Sequence, residues 1–158
     1  SGSYDEGRGQ TGWVKLVDGE LQSFGIIKAS DYDTRADFWE AHSLLIEQHY
    51  NENLDIVLEN FRLYSHKASS QINSELETAR LLGYLEMYIV KTLDHSNLIF
   101  QMAVQAKTRF SDDILLHKGL ITKDPSGRYY LNGINVAGHV IDALRHASLY
   151  DLLKRKED

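Results

Sequence analysis

The chain predicts an α/β domain with a mixed central β-sheet of about five strands flanked by helices, and three observations carry that expectation. An Asp18-Gly19 pair separates two apolar runs, with Trp13, Val14, Leu16 and Val17 before it and Leu21, Phe24, Ile26 and Ile27 after it. Asp-Gly between apolar runs is the strongest short signal for a β-hairpin. Ile72, Leu76, Ala79, Leu82, Leu85 and Ile89 recur at spacings of three and four, which is the single apolar stripe of a long helix over 71–93. The run Asp55-Ile56-Val57-Leu58-Glu59-Asn60-Phe61 is strand-like and apolar apart from one carboxylate, and is expected to form a buried central strand.

The remaining elements follow in order. Ser1-Gly2-Ser3 is small and polar, so any strand before Tyr4 is short. Residues 35–51 set Ala36, Trp39, Leu44, Leu45 and Ile46 among charges, an amphipathic helix that packs on a sheet. A strand at Leu98-Ile99-Phe100 precedes a helix from about Val104 to His117. The only proline lies in Lys123-Asp124-Pro125-Ser126-Gly127, a turn sequence between Leu120-Ile121 and Tyr129-Tyr130-Leu131, and predicts a second hairpin. The last helix runs from about Ala137 to Lys154. Gly7-Arg8-Gly9-Gln10-Thr11-Gly12 spells the dinucleotide-binding fingerprint, but that motif works only when a helix follows, and 13–27 reads as a hairpin.

Composition narrows the classes. With 158 residues and 42% hydrophobic content the chain suits one domain, 1–158, with a full core. No cysteine is present, which removes disulfides, iron–sulfur clusters and thiolate zinc sites and points to a cytoplasmic protein. No apolar run approaches the roughly 20 residues of a membrane helix, so no membrane partner is expected. Seventeen Lys and Arg stand against 23 Asp and Glu, a net charge of −6. Nucleic-acid binders are often basic, yet phosphate recognition needs positive charge only on the face that meets it.

Among the acids, Asp5, Glu59 and Asp142 stand out. A carboxylate inside an apolar strand costs several kcal/mol unless a charge or a metal compensates it, which singles out Glu59. His139 and Asp142 are three apart on the last helix and therefore share a face, with His146 four residues further on.

These residues belong to an ordered series of motifs. Asp5-Glu6-Gly7 is followed by Thr11-Gly12-Trp13, then by Val57-Leu58-Glu59-Asn60-Phe61-Arg62-Leu63-Tyr64 with Lys67-Ala68 behind it. Gln71, Ser74 and Leu76-Glu77-Thr78 open a helix, Gln101 precedes Lys107 by six, and His139 with Asp142-Ala143-Leu144-Arg145-His146 closes the chain. In this order the sequence resembles the RuvC-like Holliday junction resolvases, in the form phages carry. The resemblance implies an RNase H-like fold and a Mg²⁺-dependent endonuclease that resolves four-way junctions and other branched DNA. It implies two metal ions per site, with Mn²⁺ able to substitute, because hard cations take oxygen ligands across a scissile phosphate. Asp5, Glu59 and Asp142 are then catalytic metal ligands, and His139 completes the set where the family often has an aspartate. Arg62, Lys67, Lys107 and Arg145 are expected near DNA phosphates, and paired nicks imply a homodimer.

Plainer roles stand beside these. Asp5 could begin a Gly-rich turn, Asp142 could pair with Arg145 or His146 on a helix surface, and His139 could be only a helix N-terminal residue. His66, His95 and His117 read as surface residues, and Lys154-Arg155-Lys156 as a solvated helix end. The competing functions are a catalytically silent module that binds DNA or a partner, and a nuclease of broader specificity for flaps and Y-forks.

Overall fold

A computed structural model describes residues 9–60, 69–93 and 97–157, which group into two compact units. The unit built from 5–31 and 103–158 starts with the expected hairpin. Strand β1 (Gln10–Val17) pairs antiparallel with β2 (Glu20–Lys28), with a bulge between Lys15 and Leu16. Asp18 and Gly19 take φ of 53° and 80°, the left-handed pair that a two-residue hairpin turn requires. A strand thus stands where a dinucleotide site needs a helix, and the glycine series at 7–12 has no such role.

The expected helix over 104–117 is two helices, α3 (Ala103–Arg109) and α4 (Asp112–His117). Ser111 breaks it. In a continuous helix the Ile114 N–H would donate to the Phe110 carbonyl; here it donates to Ser111 Oγ at 3.4 Å, the N-cap bond of α4. The Phe110 carbonyl is left open to another donor.

Next come β5 (Thr122–Lys123), β6 (Tyr129–Leu131) and β7 (Ile134–Val136), an antiparallel sheet of order 5-6-7. The β5–β6 pair is the hairpin predicted around Pro125. The second turn, at Asn132-Gly133 with φ of 49° and 80°, adds a strand the sequence reading did not include. Helix α5 (Gly138–Glu157) ends the chain. Val140, Ile141, Leu144 and Leu149 of α5 bury against Ala106, Phe110, Leu115, Ile121 and Leu131, and Val14, Leu16, Phe24 and Ile26 of the hairpin close over them. Deleting one such buried side chain to alanine typically costs about 2–5 kcal/mol.

The unit that contains 32–102 holds α1 (Arg35–His49), β3 (Ile56–Asn60), α2 (Ser69–Thr92) and β4 (Leu98–Met102). Thr34 caps α1 by accepting from the Asp37 N–H at 3.0 Å. Tyr84 of α2 donates to Ser43 Oγ at 3.0 Å and stacks beside Trp39 and Tyr88, so the α1–α2 contact is aromatic with its hydroxyls satisfied. Among the described residues, Phe38, Leu85 and Ile89 are the buried apolar side chains of this unit. His42 is buried with them, its Nδ1 2.8 Å from the Phe38 carbonyl. Strands β3 and β4 pair in parallel, Glu59 opposite Gln101, and α2 supplies the crossover that a parallel pair needs.

The chain is therefore mixed α/β, with antiparallel and parallel pairs. The strands were expected in one sheet of about five; those described pair as two two-stranded sheets and one three-stranded sheet. Strands β5 to β7 are two or three residues long, too short to extend beyond the turns that join them. Among the described residues no helix is long and apolar enough to cross a membrane.

Candidate functional site

Helix α5 carries two of the proposed ligands, and its first turn is seated by a glycine. A Cβ on Gly12 of β1 would overlap the backbone carbonyl of His139 and the amide of Val140. Only glycine permits that approach. His139 is exposed and Asp142, one turn on, has a side chain 35% exposed, while Val140, Ile141 and Leu144 face the core. His139 and Asp142 thus share the accessible side of α5, as their spacing predicts. His146 is buried and does not join them there.

Arg145 departs from expectation. Placed near phosphate by the sequence reading, its side chain is only 8% exposed and all three guanidinium nitrogens are committed. Nη1 donates to the Phe110 carbonyl at 2.6 Å, Nη2 to the Asp112 carboxylate, and Nε to Asp142 Oδ1 at 3.3 Å. The cause is the α3–α4 break, which exposes the Phe110 carbonyl and starts a new helix with Asp112 beside it. This buried guanidinium is held by acceptors inside its own unit.

Asp112 was not singled out from the sequence, which set it inside the expected helix over 104–117. It also accepts from Tyr129 Oη at 2.8 Å and Lys123 Nζ at 3.1 Å. Desolvation works against its charge, but the hydrogen bonds from Arg145, Tyr129 and Lys123 outweigh it and bring the carboxyl down to about 2. Arg145 is shifted the opposite way: desolvation again opposes the charge, and Asp112 and Asp142 overcome it. Two carboxylates and two cations balance, so the network carries no net charge.

The other unit supplies Glu59. It was expected inside a buried strand, yet its side chain is exposed, with Ile56, Val57 and Leu58 half-buried before it. Its register partner Gln101 is buried. A two-stranded sheet leaves a strand less covered than a central position would, so Glu59 is a solvent-facing acid at the end of β3. Lys107 is exposed on the last turn of α3. Asp5, Arg62 and Lys67 lie outside the described residues.

Among the described residues no three His, Asp or Glu side chains come together as a metal-holding group. In donor type, the carboxylates of Glu59 and Asp142 fit Mg²⁺ or Mn²⁺, and the imidazole of His139 fits Mn²⁺ better than Mg²⁺. All three belong to regular elements and reach solvent. Comparison with protein-family models, curated proteins and solved structures finds no match for this chain.

Proposed function

We propose that the chain is a metal-dependent endonuclease of RNase H-like fold that cuts branched DNA, four-way junctions above all, as a homodimer. The observation that carries this reading is the accessibility of Glu59, His139 and Asp142 on regular secondary structure, at the positions where the resolvase resemblance puts metal ligands. The antiparallel hairpin followed by a parallel pair across a helix is in keeping with that fold.

In this reading Glu59, Asp142 and Asp5 of the N-terminal motif are the carboxylate ligands that the resemblance implies, and His139 is a nitrogen donor. Bound Mg²⁺ or Mn²⁺ supplies Lewis-acid activation of water and charge stabilisation at the phosphate. Lys107 meets the DNA backbone from the end of α3, where a cation also offsets the helix dipole. Arg145 takes no part in DNA contact and acts on Asp142 instead. Two copies related by a two-fold axis present two equal sites, as paired nicks on opposing strands require.

The test is cleavage of a labelled synthetic four-way junction in Mg²⁺, Mn²⁺ or EDTA, with Glu59→Gln and Asp142→Asn beside the parent. Paired symmetric nicks that disappear with EDTA and in both variants are expected. The Asp142–Arg145 ion pair favours one other reading, a silent module in which Asp142 serves packing alone; junction binding without nicks in any metal would select it. Faster cutting of flaps or Y-forks than of the junction would widen the substrate class.

A further inference from the structure

We infer that α2 is the dimer contact, packed in parallel against a second copy of itself along the line of Gly83, Met87 and Val90; this rests on the homodimer of the reading above and needs neither its metal nor its DNA. One stripe of α2 serves its own unit, where Leu85 and Ile89 are buried. On the opposite side of the helix Met87 is 61% and Val90 48% exposed, and a Cβ on Gly83 would meet no atom within 4 Å. A glycine at that point lets a second helix backbone come close. The helix also repeats after eleven residues: Glu75, Leu76, Ala79 and Arg80 recur as Glu86, Met87, Val90 and Lys91. Eleven residues are close to three full turns, so both sets fall on one face, as in helices that pair along a seam.

The charges beside this seam select both the occupant and its direction. Measured around the helix axis, Glu86 lies about 60° to one side of the Gly83 line, and Arg80 and Lys91 lie about 60° and 80° to the other. All three are exposed. Arg80 donates to Glu77 of its own helix at 3.4 Å and lies 5.7 Å from the Trp39 ring, with 57% of its side chain still in solvent. A second copy related by a two-fold axis parallel to α2 brings the acidic side of each helix against the basic side of the other, Glu86 to Lys91 five residues on, with positions 75 and 80 in the same relation. An antiparallel copy would bring acidic side to acidic side. DNA phosphate would meet Glu86 on this face, so a polyanion fits it poorly.

Sedimentation equilibrium of the parent chain, without metal or DNA, tests this beside Met87→Glu, Glu86→Lys, and Glu86→Lys combined with Lys91→Glu. Met87 is mostly in solvent, so the monomer should stay folded in Met87→Glu, as circular dichroism checks, while the dimer dissociation constant rises about tenfold or more because two carboxylates enter the seam. Glu86→Lys should weaken the dimer about two- to fivefold, and adding Lys91→Glu should restore it. Direction is read from Val90→Cys with oxidised glutathione. The chain has no cysteine of its own, so a disulfide-linked dimer needs position 90 beside its own copy. A parallel pair provides that, whereas an antiparallel pair centred on Gly83 sets the two positions about 21 Å apart. The same crosslink decides should Met87→Glu fail to fold. A dimer unmoved by Met87→Glu, a charge swap that does not restore it, or a Val90→Cys dimer that does not crosslink overturns the inference and leaves a homodimer through another face. A parent chain that stays monomeric removes this inference together with the homodimer. A dimer that meets these expectations and cuts no junction upholds the inference and removes only the nuclease.

Discussion

Asp112 shows how one side chain can set the charge economy of a region. Its carboxyl, ordinarily near 3.8, is held at about 2 in the folded chain. The unfolded chain takes up that proton first, so the stabilisation from this group is fully present above about 4 and is lost as pH falls toward about 2. Thermal melting across that window should show the loss, and Asp112→Asn should flatten it. The same variant leaves the buried Arg145 short of one anion and should cost about 3 kcal/mol in urea unfolding at neutral pH. His42 works at a higher pH. Burial lowers its pKa from 6.5 against the pull of two backbone hydrogen bonds. Its neutral form belongs to the folded state, so its contribution is complete above about 6.5 and is lost as pH falls below that. Melting temperature should drop over this second window in the parent and not in His42→Leu.

At the scale of elements, the close approach of β1 and α5 matters most to the site, because it seats the turn that carries His139. Gly12→Ala would force a methyl group into the backbone of His139 and Val140. A backbone cannot step aside as a flexible side chain can, so the expected cost is about 3 kcal/mol or more. On the proposed function, cation binding should weaken with it, and calorimetry beside urea unfolding separates the two effects. The elements also show where sequence signals stop. Asp18-Gly19 announces its hairpin because long alternating runs flank it, whereas Asn132-Gly133 carries the same turn chemistry between strands of three residues, too short for a periodicity to show. Ser111 is an equally good N-cap in the sequence, but residues 104–117 keep a helical pattern through it, and only the capture of the Ile114 amide reveals the break.

For the molecule as a whole, a net charge of −6 makes any DNA affinity depend on a few well-placed cations. On the proposed function, junction binding should weaken with salt only as far as those few contacts dictate, and Lys107→Ala should lower the slope of log K against log salt by about 0.9 if that lysine meets one phosphate. An unchanged slope would assign the contact elsewhere. By itself the sequence determined the α/β class, the positions of the hairpin at Asp18-Gly19, the strand bearing Glu59 and the long helices, and the shared face of His139 and Asp142. Those follow from local propensity and from periodicities that a chain displays along its own length. The tertiary structure alone decided that Glu59 faces solvent, that the described strands pair in three small sheets, and that Arg145 turns inward. Two of its three acceptors lie 33 and 35 residues earlier in the chain. A buried ion pair is a property of chain segments brought together by folding, and no pattern within either segment encodes its partner.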